Sequence, residues 1–71
     1  MNEKRERFKR IAENRTNKII DMIELLGNCS NRNNYEYTEE DVKSIFNAIE
    51  STLRTNKMKF LEKQERGKFR L

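Results

Sequence analysis

Apolar residues recur at helical spacing along two stretches of this chain, and almost nothing in either stretch can stop a helix. Proline is absent, and glycine occurs only at 27 and 67. These two residues interrupt helices most strongly, proline by removing a donor and glycine by its backbone freedom. In the first stretch Phe8, Ala12, Ile19, Met22 and Leu26 step by threes and fours, with Arg15 in the step between Ala12 and Ile19. That series stays on one helical face. In the second, Val42, Ile45, Phe46, Ile49, Leu53 and Phe60 do the same. The spacing predicts an all-α chain with helices over about residues 2–26 and 39–66.

The ends carry their own signals. Gly27 stands where a left-handed residue stops a helix. Asn28-Cys-Ser-Asn-Arg-Asn-Asn-Tyr-Glu-Tyr-Thr38 then connects, rich in Asn whose short side chains compete for backbone hydrogen bonds. The spacing of Tyr35 and Tyr37 would aim both to one side of a short extended piece, covering the open end of the core. Thr38 is a good N-cap, and Glu39, Glu40 and Asp41 complement the dipole of the helix it opens. Asp41 stands at the third helical position, where an acid can return a capping-box bond. Lys63 and Arg66 suit the last turn before Gly67, and residues 67–71 read as a frayed tail. Acid-to-base pairs at i, i+4 support both helices: Glu3–Arg7, Glu6–Arg10, Glu39–Lys43, Glu50–Arg54 and Glu62–Arg66.

A fold-back at the connection makes an antiparallel two-helix hairpin. By the symmetry of that reversal Leu26 meets Val42, Met22 and Ile23 meet Phe46 and Ile45, Ile19 meets Ile49, and Phe8 meets Phe60. Arg15, Thr16 and Asn56 put polar groups into the seam, and an Asn in a seam can fix register. Ile11, Ile20, Leu25, Ala48 and Met58 lie off the seam, so a homodimer forming a four-helix bundle is expected. A monomeric hairpin with a third short helix within residues 28–37 is the structural alternative.

Length supports the same expectation. The 71 residues allow one small domain, 1–71. Such a core rarely yields more than about 3–5 kcal/mol without a staple. Cys29 is alone, which removes an internal disulfide, and the absence of histidine disfavours zinc. Self-association is the remaining source of stability, and no cofactor or metal is expected.

Charge is divided in three. Residues 1–18 carry a net +4, residues 19–52 a net −5 and residues 53–71 a net +5, giving +4 for the chain. A hairpin brings both basic thirds to one end and leaves the acidic third at the other. Among the basic residues, Lys4, Arg5, Lys9, Arg15 and Lys18 on the first helix and Lys57, Lys59 and Lys63 on the second lack an acid at i−4. These eight are the candidate phosphate contacts, each adding a salt-dependent contribution. A helix-turn-helix is not readable across so long a connection, so backbone contact is favoured over base recognition. The alternative is an interaction module that receives a partner helix, its acidic end selecting a basic protein. Glu3, Glu6 and Glu13 interrupt the basic first helix, so no membrane partner is expected. No Gly-rich phosphate loop or nucleophile–base pair is present, so the chain reads as a non-enzyme with no catalytic residues. Without a signal-peptide run, a cytoplasmic location is expected and the sequons at Asn14 and Asn28 read as chance.

The stretch Arg7-Phe-Lys-Arg-Ile-Ala-Glu-Asn-Arg-Thr-Asn-Lys18, with Leu26-Gly-Asn-Cys-Ser-Asn-Arg32 and Tyr35-Glu-Tyr-Thr-Glu-Glu-Asp-Val42, resembles small helical proteins of mobile elements (plasmid, transposon or phage) in low-GC Gram-positive bacteria. The resemblance implies an accessory protein of such an element.

Overall fold

The computed structural model of the chain describes residues 2–65, with side chains over 2–61. Among these residues all regular structure is helical: α1 over Glu3–Gly27, a 3-10 turn over Asn28–Ser30, and α2 over Glu39–Glu65. The frayed tail expected over 67–71 and the Glu62–Arg66 pair lie outside the described residues and side chains. The chain divides into two units, residues 1–36 and 37–71.

In the first unit, Asn2 is the N-cap rather than the first helical residue. Its backbone is extended, and its Oδ1 accepts from the Arg5 amide at 3.1 Å. The Glu6 amide donates to the Asn2 carbonyl at 3.1 Å. Glu3 and Glu6 follow in the first turn, where carboxylates favour the positive end of the helix dipole.

The other end of α1 corrects the expectation for Gly27. This residue is right-handed, with φ −61° and ψ −28°, and belongs to the helix. The Asn28 amide points back at the carbonyls of Glu24, Leu25 and Leu26, and the chain tightens into the 3-10 turn. Last-turn carbonyls thus find a donor without a left-handed residue, which is the need that normally selects glycine there. A Cβ built on Gly27 meets nothing within 4 Å. Gly27→Ala should therefore stabilise the protein by about 0.5–1 kcal/mol, because alanine loses less backbone freedom in a helix. The check is the denaturation midpoint, and a lowered midpoint would restore the left-handed stop.

Beyond the turn, Asn31 organises the connection. Its Oδ1 accepts from the Asn33 amide at 2.9 Å, and its carbonyl accepts from the Asn34 and Tyr35 amides at 3.1 and 3.0 Å. This is the local competition for backbone bonds that makes Asn a turn former. The helix entertained within 28–37 is thus a single turn of three residues.

The second unit opens on a reciprocal cap. Thr38 Oγ1 accepts from the Asp41 amide at 3.0 Å, and Asp41 Oδ2 accepts from the Thr38 amide at 2.9 Å. Two donors that a helix start leaves unpaired are satisfied at once, with Asp in the place usually taken by Glu or Gln. The Val42 amide closes the first turn on the Thr38 carbonyl at 3.2 Å. Further along, Asn56 Nδ2 donates to the Thr52 carbonyl at 2.9 Å, so this amide is engaged within its own helix.

No described side chain is buried. Ala12 and Leu26 in the first unit, and Tyr37 and Ile49 in the second, are partly covered. Met22 is 63% exposed and Phe60 64% exposed. Each large apolar side chain left in water forgoes about 1.5–3 kcal/mol of burial. The faces that built the two helices are thus the faces in need of cover.

Candidate nucleic-acid interface

The candidate basic residues are placed by the rotation of their helices. Lys4, Arg5, Lys9, Arg15 and Lys18 all lie on α1 and are exposed. Lys57 and Lys59 lie on α2 and are exposed, while Lys63 lies on α2 beyond the described side chains.

α1 is one uninterrupted helix, so successive residues turn by about 100°. Phe8, Ile11, Ala12, Ile19, Met22, Ile23 and Leu26 then fall within an arc of about 120°. Lys4, Arg5, Arg7, Lys9, Arg15 and Lys18 all stand within about 100° of the centre of that arc. Arg7 and Lys18 follow one edge of the apolar stripe, Arg5 and Lys9 follow the other, and Lys4 and Arg15 lie within it. The five acids of α1, namely Glu3, Glu6, Glu13, Asp21 and Glu24, stand about 140° or more from the same centre. Arg10 stands in the middle of their face, and Arg7 and Lys9 stand at its margins, sharing depressions with Glu3, Glu6 and Glu13.

Glu3, Glu6 and Glu13 stand away from the apolar stripe, with Glu3 one turn from Arg7 and Glu13 one turn from Lys9. Arg7 has an i−4 acid in Glu3, yet it shares an edge of the stripe with Lys18. The signal that finds it is angular position rather than pair spacing. The acid-bearing side is chemically distinct: a solvent-open depression there is lined by Glu6, Lys9, Arg10, Glu13, Asn14 and Asn17, mixing both signs.

α2 shows no such separation. Along one edge of its apolar stripe Glu39 and Glu50 alternate with Lys43 and Lys57, and Lys59 lies toward the opposite edge beside Asp41. Cys29 is a free, exposed thiol in the 3-10 turn. Among the described residues no group of three or more Cys, Asp or Glu is arranged to hold a metal ion. No described helix is long and apolar enough to cross a membrane. No family model, curated protein or solved structure matches this chain.

Proposed function

We propose that this protein is a non-enzymatic accessory factor of a mobile element that binds the nucleic-acid backbone in the cytoplasm. In this reading α1 and α2 fold back as an antiparallel hairpin, and two copies form a four-helix bundle. The exposed apolar stripes support the association, since each requires a partner to leave water. The observation that carries the functional reading is the separation of charge on α1. Its bases flank the stripe that packs, and its acids are turned away. The rim of the bundle therefore holds a positive field that the acids do not cancel, and phosphates are drawn to such a rim. Residues 7–62 supply the resemblance to mobile-element proteins that suggests the setting.

The test is titration of the protein against a mixed-sequence duplex at low salt. Binding that weakens steeply with added salt supports the proposal. No binding at low salt ends it and leaves the protein-interaction module as the reading.

A further inference from the structure

We infer that α1 also docks on an anionic lipid surface, lying in the interface with Phe8, Ile19, Met22 and Leu26 toward the acyl chains. This goes beyond nucleic-acid binding and does not rest on it. The argument is the joint placement of three kinds of residue on one helix. Most apolar side chains of α1 share one stripe, with Ile20 and Leu25 outside it, and Phe8 at 49% and Ile19 at 52% are exposed. Arg7 and Lys18 border that stripe on one edge and Arg5 and Lys9 on the other, Lys4 and Arg15 lie within it, and acids occupy the opposite side.

A phosphate backbone rewards the bases and gives the apolar stripe nothing. A lipid interface rewards both, because the stripe enters the headgroup boundary while Lys and Arg extend their aliphatic stems and keep their charges at the phosphates. Its negative surface also repels carboxylates, and α1 holds its carboxylates on the side that would face water. The bases are spread from Lys4 to Lys18, about 21 Å of helix. A continuous negative plane matches that spread, whereas a protein groove would need an acid opposite each base. α2 mixes both signs along its stripe and is excluded from the inference. The same stripe is the one the proposed hairpin seam would cover, so lipid docking of α1 and closure of the hairpin exclude one another.

The experiment uses the full chain with vesicles of phosphatidylcholine containing phosphatidylglycerol, and with vesicles of phosphatidylcholine alone. Two variants, Phe8→Trp on the stripe and Asn17→Trp on the acid-bearing side, are read by quenching with brominated acyl chains. The inference expects partition at least tenfold stronger on the anionic vesicles. It also expects the residue placed at 8 to be quenched and the one placed at 17 to remain unquenched. Burial in a protein interface shields an indole from acyl-chain bromine, so association does not mimic docking. Failure to bind anionic vesicles, equal partition to both compositions, or equal quenching at the two positions overturns the inference. Duplex binding is measured separately, so a negative result there ends the nucleic-acid reading and leaves this one standing.

Discussion

Affinity for a mixed-sequence duplex should fall by about four orders of magnitude between 50 and 200 mM salt. The figure follows from counterion release. If each of the eight residues Lys4, Arg5, Lys9, Arg15, Lys18, Lys57, Lys59 and Lys63 neutralises one phosphate, log K falls against log salt with a slope of about −7. Neutralising four of them, Lys9, Arg15, Lys57 and Lys63, to glutamine should bring the slope to about −3.6 and weaken binding about 10³-fold at 100 mM salt. Helix content should persist, since glutamine and lysine have similar helix propensities. Arg10→Gln is the internal control. Arg10 stands among the acids of α1, so its loss should leave both affinity and slope nearly unchanged. Filter binding or fluorescence anisotropy across a salt series reads all three proteins. A flat salt response in the wild type, or an Arg10 effect as large as that of Lys9, contradicts the assignment.

The second large effect concerns association. Ile20→Asp and Ala48→Asp should each convert the protein from twice 8.6 kDa to a single chain of 8.6 kDa in light scattering. In a two-fold dimer each substitution occurs twice. Placing an unpaired carboxylate in a covered apolar contact costs on the order of 3 kcal/mol per copy. The pair therefore weakens dimerisation by about 6 kcal/mol, or roughly 10⁴-fold. Helix content should fall with it, because isolated helices are marginal and take most of their stability from packing. Dilution of the wild type should produce the same loss without any substitution. A monomer at high concentration that retains full helicity would remove the need for a second copy.

Local chemistry was largely legible in the residues. Thr38 and Asp41 announced α2 because their side chains act on amides only three residues away, and the structure shows both bonds. Absence of proline and the three-four spacing announced both helices for the same reason. Gly27 misled, because a left-handed stop is a preference of glycine and not a requirement. Here Asn28 and the 3-10 turn meet the last carbonyls by another route. The Asn2 cap is not legible in the residues, because no apolar residue follows it closely enough to mark the helix start. The candidate site was legible in residue type but not in arrangement. Choosing bases by the absence of an i−4 acid leaves out Arg7, which borders the apolar stripe. Rotation about the helix axis sets that placement, and pair spacing along the chain does not report the angle.

The proposed reversal of the chain between α1 and α2 would bring the two basic thirds together, and distance between their ends tests it most directly. Spin labels at Lys4→Cys and Lys63→Cys, in a Cys29→Ser background and diluted with unlabelled protein, report one intramolecular separation. Packed antiparallel helices lie about 8–10 Å apart, so the labels should fall within about 20 Å of each other. Helices running on in one direction would hold them at a separation approaching the summed helix lengths, roughly 80 Å. That longer distance would contradict the hairpin, the dimer built from it and the shared basic end.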